Sequence, residues 1–186
     1  MEFTLTYRGP LRANGGPADK QHIRRVIHRQ MKVLWQQLPL SDTAKYLVDG
    51  PPAEGTIALI QHIGGFRVAP LVSPQLALVA ELTITFLRPE EPGSLITQGG
   101  DIDNRLKTLL DALRMPKVKN ELPPKEVPHE GEDPFFFLLE DDNLVTKLAV
   151  NTDRLLEIVN DRSEVILIIH VQIKGTRGIW ANIGLT

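Results

Sequence analysis

Leu76-Ala77-Leu78-Val79-Ala80-Glu81-Leu82-Thr83-Ile84-Thr85-Phe86-Leu87 is the stretch on which the architecture turns. Its second half sets Leu82, Ile84 and Phe86 against Glu81, Thr83 and Thr85. That is the two-residue period of a strand with one buried and one wetter face. Upstream, Thr56–Ile63 and Phe66–Val72 flank Gly64-Gly65. Two glycines tolerate the positive φ of a primed turn, so this pair reads as a hairpin. Pro39 to Gly55 is irregular, with Gly50-Pro51-Pro52 as punctuation. Asp19 to about Leu38 is helical, with Ile23, Ile27, Met31 and Leu34 at spacings of three and four and Val26 and Val33 widening the stripe. Phe3–Tyr7 opens the chain as a short strand, followed by a loop at Gly9-Pro10 and Asn14-Gly15-Gly16-Pro17.

Downstream, Glu90–Gly100 reads as a loop and Asp101–Leu113 as a helix with Ile102, Leu106, Leu109, Leu110 and Leu113 on one side. Met115–Pro134 is proline-rich with no usable period, either a mobile loop or an ordered excursion over the surface. Phe135–Leu139 is a short strand and Leu144–Val150 is extended. Asp153–Val159 reads as a short helix and Val165–Ile173 as a core strand. Helices are few and do not alternate regularly with strands. The expectation is an α+β fold in two layers, a mixed β-sheet with helices packed on one face, rather than a doubly wound sheet. Residues 1–186 then form a single domain with a proline-rich insertion at about 115–134.

The chain of 186 residues is 42% hydrophobic and 24% charged, which argues against global disorder. It has no cysteine, which excludes disulfides and thiolate metal sites. Glu2 and Arg8 interrupt any apolar start, and no apolar run approaches the ~18–20 residues that span a bilayer. A cytoplasmic protein without a membrane partner is expected. The net charge of −2 hides an asymmetry: residues 1–38 hold seven basic side chains (Arg8, Arg12, Lys20, Arg24, Arg25, Arg29, Lys32) against Glu2 and Asp19. The acids concentrate between Glu81 and Asp142. A basic face for phosphates and an acidic pocket for metal would be distributed in this way, and so would a solvated helix face.

The chemistry concentrates in Gly100-Asp101-Ile102-Asp103-Asn104-Arg105-Leu106-Lys107. Two carboxylates one residue apart at a loop-to-helix junction can reach one cation, and the helix dipole favours negative charge in the first turn. Hard ions such as Mg²⁺ take such oxygens. Lys107 lies one turn after Asp103, placed to pair with a carboxylate or contact a phosphate, and Asp111 continues that side. Asp141-Asp142, at the end of an apolar strand, is costly unless solvated, paired or metal-bound. The plain alternatives are an N-cap with a first-turn acid for Asp101 and Asp103, a turn for Asp141-Asp142, and an exposed i,i+4 pair for Lys107 and Asp111. Arg105 and Leu106 occupy ligand and glycine positions of an EF-hand loop, which rules that motif out. His22, His28, His62, His129 and His170 show no zinc spacing, and His170 reads as a structural histidine of a core strand. No Walker-type loop occurs, so no nucleotide cofactor is expected.

Asp101-Ile102-Asp103-Asn104-Arg105-Leu106-Lys107-Thr108-Leu109-Leu110-Asp111-Ala112-Leu113 resembles the "D-x-D-N-x-x-K-x-x-x-D-A-L" segment of the RusA family of Holliday-junction resolvases. Leu139-Glu140-Asp141-Asp142-Asn143-Leu144-Val145 is similar to that family's second acidic block, "D-D-x-x-V". The resemblance implies a RusA-like fold and a homodimeric, Mg²⁺-dependent endonuclease that resolves four-way (Holliday) DNA junctions by paired phosphodiester hydrolysis, with Mn²⁺ as a substitute ion. It implies Asp101, Asp103 and Asp142 as metal carboxylates and Lys107 as the catalytic or phosphate-contacting lysine. Asp141, Asp111 and Asn104 would support them. Arg8, Arg12, Arg24, Arg25, Arg29 and Lys32 are the expected DNA-tracking side chains. The family usually joins helix to acidic pair by a short turn, whereas residues 114–140 intervene here. A nuclease for other branched or flapped DNA, or a catalytically idle junction binder, are the competing expectations. Leu76–Val79 and the C-terminal strand are candidate dimer surfaces by being apolar.

Overall fold

A computed structural model describes residues 1–50, 56–89 and 102–186. Among these, seven strands and three helices follow in the order β1 (Glu2–Pro10), α1 (Pro17–Trp35), α2 (Leu40–Thr43), β2 (Gln61–Ile63), β3 (Phe66–Val72), β4 (Leu78–Arg88), α3 (Ile102–Leu113), β5 (Phe135–Leu139), β6 (Val145–Arg154) and β7 (Glu164–Gly175). The class is α+β, as expected. The single sheet of the expectation is instead two mixed sheets, one ordered β1-β7-β4-β6 and one ordered β2-β3-β5. In the first, β7 runs antiparallel to both β1 and β4, and β6 lies parallel to β4.

β4 keeps the alternation that its sequence announces. Leu78, Ala80, Leu82, Ile84 and Phe86 are buried, and the residues between them are half-exposed. β7 follows suit, with Val165, Leu167, Ile169, Val171 and Ile173 in the core. The opposite face of this sheet carries Thr4, Thr6, Ile168 and His170 towards solvent. His170 is therefore not a core histidine: it faces outward near Glu2, at 3.6 Å. Gly64 and Gly65 take φ of 58° and 94° in the β2–β3 hairpin, a conformation that side-chained residues resist. Only Gln61–Ile63 of the predicted Thr56–Ile63 strand pairs. Leu76 closes a 3₁₀ turn, so β4 starts at Leu78.

β5 is buried along its whole length, which explains its unbroken apolar run. Phe136 and Leu138 join the main core with Trp35, Ile27 and Leu71. Phe135 and Phe137 face the other way, into a smaller cluster with Phe66, Val68, Met115 and Leu122. Met115 and Leu122 come from the proline-rich excursion, which is thus the lid of that second cluster and an ordered part of the fold.

Three further local expectations are corrected. Asp153–Val159 is not a helix: β6 runs on to Arg154 and the Leu155 N–H donates to the Arg88 carbonyl at 2.7 Å, extending the pairing with β4. Leu156 and Ile158 find no core to bury them, at 86% and 101% exposure. α1 spans Pro17–Trp35 rather than Asp19–Leu38, and Val33 points to solvent. Leu76, Ala77 and Leu78 are buried within this chain, which removes them as a dimer surface.

Candidate functional site

α3 carries most of the residues singled out in the sequence. Its burial is rotated from the leucine stripe: Arg105, Thr108, Leu109, Ala112 and Leu113 are buried, while Ile102, Leu106 and Leu110 are only half-buried against the core. The rotation comes from packing against α1, which brings the polar Thr108 inward. The Gly15 N–H donates to Thr108 Oγ1 at 2.9 Å, and that hydroxyl donates to the Asn104 carbonyl at 3.0 Å. A Cβ on Gly15 would lie 2.7 Å from Thr108 Cγ2 and 3.2 Å from Asp19 Cβ, so only glycine fits this close approach. Gly16 N–H donates to Asp19 Oδ2 at 2.9 Å, fixing the first turn of α1 beside it.

A cleft of about 180 Å³ opens where the two helices meet, lined by Asn14, Gly15, Lys20, Asn104, Lys107, Thr108 and Asp111. Three of the motif residues, Asn104, Lys107 and Asp111, therefore share one concave surface. Lys20 Nζ donates to Asp111 Oδ2 at 2.7 Å, and Arg114 reaches Asp111 Oδ1 at 3.0 Å. Burial works against the charge of Asp111, but the Lys20 ammonium and the Arg114 guanidinium outweigh it and hold this carboxyl below the usual range. Asp103 and Lys107 are exposed, and neither takes a hydrogen-bond or ion-pair partner among the described residues. Thr108 of α3 lines the cleft without having been assigned to the site from the sequence, and so do Lys20, Asn14 and Gly15. Their proximity to α3 is a tertiary contact across some 90 residues, for which the local sequence has no sign.

The second acidic block is a 3₁₀ turn, Asp142–Leu144, that rests against α3 and β4. Asp141 caps it by accepting the Asn143 N–H at 3.0 Å. Lys117 sits 2.5 Å from Asp141 Oδ2, and its charge together with the Asn143 N–H lowers the Asp141 carboxyl. Asp142 beside it is exposed. Glu140, the residue before the pair, accepts a 2.5 Å bond from the Ser73 hydroxyl, which ties the block to the corner preceding β4. Asp101 lies outside the described residues. Among the described residues no group of three or more His, Cys, Asp or Glu side chains is gathered for a metal ion.

The expected DNA-tracking side chains divide sharply. Arg24 is 1% exposed: its guanidinium donates to the Glu121 carbonyl at 3.0 Å and the Asp111 carbonyl at 3.1 Å. Burial pulls its pKa down to about 10 despite the nearby acids Glu121 and Asp111. Arg25 is bound by Glu126 at 2.7 Å and Glu132 at 2.9 Å, and Lys32 donates to the Gly131 carbonyl at 2.8 Å. Three of the six candidates thus fasten the proline-rich excursion to α1. Arg24 in particular has no surface to offer a phosphate, because it sits inside the α1–α3 contact. Arg8 is held by Glu157 at 2.7 Å and Glu164 at 3.4 Å. Arg12 reaches Asp19 at 3.1 Å with its side chain 60% exposed, and Arg29 is exposed.

The chain matched no family model, no curated protein and no solved structure.

Proposed function

We propose that the chain is a metal-dependent endodeoxyribonuclease of the RusA type, cutting four-way DNA junctions as a homodimer. The observation that carries this reading is the contact between the two acidic blocks: α3 bears Asp103, Asn104 and Lys107, and the separate Asp142–Leu144 turn packs against that helix. The solvent-facing Asp103, Lys107 and Asp142 are the donor types that a hard cation and a phosphate would use. Asp101, Asp103 and Asp142 would hold Mg²⁺, or Mn²⁺ in its place, and the bound ion would supply an activated water and neutralise charge on the scissile phosphate.

The chain's own groups then have separate tasks. Lys107 meets a phosphate oxygen and stabilises its developing charge. Asn104 and the Asn14-Gly15 loop line the wall where the sugar–phosphate backbone would rest. Lys20, held by Asp111, keeps the cleft electrically balanced and rigid, and Asp141, held by Lys117, orients the turn that presents Asp142. Arg29 is the exposed cation of the basic face, and Arg12, paired with Asp19 but with its side chain 60% exposed, would be the second within reach of phosphate. Two symmetric cuts across a junction call for two copies related by a two-fold axis.

A second reading, a nuclease for another branched or flapped DNA, is favoured by one observation. The excursion occupies Arg25 and Lys32, so the phosphate path over α1 is narrower than the basic sequence suggests. A cleavage assay on a four-way junction, a flap and a linear duplex, with and without Mg²⁺, tests both. Junction-selective, Mg²⁺-dependent paired cuts support the first reading and flap preference the second. Tight binding with no cutting in either Mg²⁺ or Mn²⁺ would leave an idle junction binder.

A further inference from the structure

Trp180 is 91% exposed on a segment that is firmly anchored. It opens a 3₁₀ turn, Trp180–Asn182, whose last residue is buried. Asn182 Oδ1 accepts the Ile179 N–H at 3.1 Å, and its Nδ2 donates to the carbonyls of Leu76 at 3.0 Å and Arg177 at 2.9 Å. The Leu185 side chain is buried and its carbonyl accepts the Met1 amino group at 2.9 Å. The Thr176 N–H donates to the Ala77 carbonyl at 2.8 Å. A tail pinned at so many points could have folded its largest ring inward. It holds that ring in solvent instead, with open space beside Gly178.

Charge and position narrow what would cover the ring. From Val165 to Thr186 the chain carries Lys174 and Arg177 and no Asp or Glu. Both cations are exposed, and Ile183, 66% exposed, gives an apolar flank. The turn is braced on Leu76 and Ala77, in the corner whose Ser73 bonds Glu140, next to Asp141 and Asp142. A protein-docking anchor sits in a contiguous apolar patch with a polar rim. Here Ile183 is the one other strongly exposed apolar side chain of the segment, and the preceding Lys174-Gly175-Thr176-Arg177-Gly178 provides cations and bare backbone. An aromatic face beside phosphate-seeking cations is the platform on which an unpaired base stacks.

We infer that Trp180 is a stacking platform for an unpaired nucleobase of DNA, with Lys174 and Arg177 drawing the adjoining phosphates. DNA as the ligand rests on the nuclease reading; the stacking itself does not need cleavage. The test uses the intact chain without divalent metal, titrated with oligothymidylate and with a four-way junction. Binding is followed by anisotropy and by tryptophan emission, with buried Trp35 as the internal reference for folding. Saturation quenches the exposed indole and leaves Trp35 unchanged. Trp180→Ala weakens oligothymidylate and junction binding roughly 10-fold and leaves blunt duplex binding nearly unaltered, whereas Trp180→Phe retains most of the affinity. An unquenched indole at saturation, or Trp180→Ala binding as wild type, overturns the inference even if junctions are cut. Loss of self-association in Trp180→Ala without loss of DNA affinity assigns the ring to a protein contact and also overturns it. Quenching by DNA in a chain that never cuts retains the platform and removes the nuclease reading.

Discussion

Asp103 and Lys107 stand one turn apart on the exposed side of α3 with no side-chain partner among the described residues, while Asp111, one turn further, is neutralised by Lys20 and Arg114. Three charged residues of one motif therefore have different physical duties. Asp103→Asn removes a first-turn carboxylate that has no side-chain partner among the described residues. Under the nuclease proposal it abolishes junction cleavage while leaving junction affinity and thermal unfolding near wild type; cleavage at the wild-type rate in a gel assay would remove Asp103 from the metal site. Asp111→Asn should act differently, because it leaves Lys20 without its counter-charge and Arg114 with Glu121 alone, beside a helix contact. A loss of about 1–3 kcal/mol in denaturant unfolding is the expected reading. Gly15→Ala belongs with it: its Cβ would meet the buried Thr108 at 2.7 Å, and prying the two helices apart should cost about 1–3 kcal/mol.

At the scale of elements, the proline-rich excursion and α1 act as one unit. Arg24, Arg25 and Lys32 hold it electrostatically, and Met115 and Leu122 roof the aromatic cluster of Phe66, Phe135 and Phe137. Arg24→Ala should therefore lower stability by about 2–4 kcal/mol, since it empties a buried site and leaves two carbonyls without a donor. His28 adds a pH dependence to the same contact. It is buried, stacks on Phe135 at 4.3 Å, and its Nδ1 accepts the Phe136 N–H at 2.9 Å, which leaves Nε2 to face the Gly131 carbonyl at 3.4 Å. Burial depresses its pKa below the ordinary 6.5, outweighing the help that the Gly131 carbonyl and Glu132 give the charged form, with Lys32 and Arg29 adding to the depression. The folded state thus prefers neutral imidazole. Its stabilising contribution is complete above the unfolded pKa and disappears as pH falls through the lower folded value. Unfolding midpoints measured from pH 7.5 down to 5 should decline in wild type, and the part of that slope due to this ring should vanish in His28→Gln.

Across the whole molecule, a net charge of −2 coexists with a basic face that is smaller than its lysine and arginine count. Arg29 is exposed and Arg12, though paired with Asp19, keeps its side chain 60% exposed, so under the DNA-binding proposal replacing both by Ala should weaken junction binding and flatten the logarithmic salt slope by roughly 2. Arg24→Ala, compared at a temperature where it remains folded, should leave the slope unchanged. An unaltered slope in the Arg12, Arg29 double variant would take this face out of the DNA interface.

Strand period, the diglycine turn and the helix stripe of α1 were legible in the linear chain because each is local: burial of alternate residues in β4, positive φ at Gly64 and Gly65, and Ile23, Ile27 and Met31 along α1 all follow from backbone geometry acting over a few residues. The acidic blocks and the lysine between them were likewise readable as residue types at fixed spacing. What surrounds them was not. A basic residue off an apolar stripe looks the same whether it ends in solvent or, like Arg24, between two helices, since burial is decided by which segment arrives from elsewhere. The aromatic cluster under the excursion, the α1–α3 cleft with Lys20 in it, and the split into two sheets all arise from contacts between residues distant in sequence. Hydrophobic burial and charge pairing fix those contacts only after the chain has closed on itself, and no short window of sequence contains both partners.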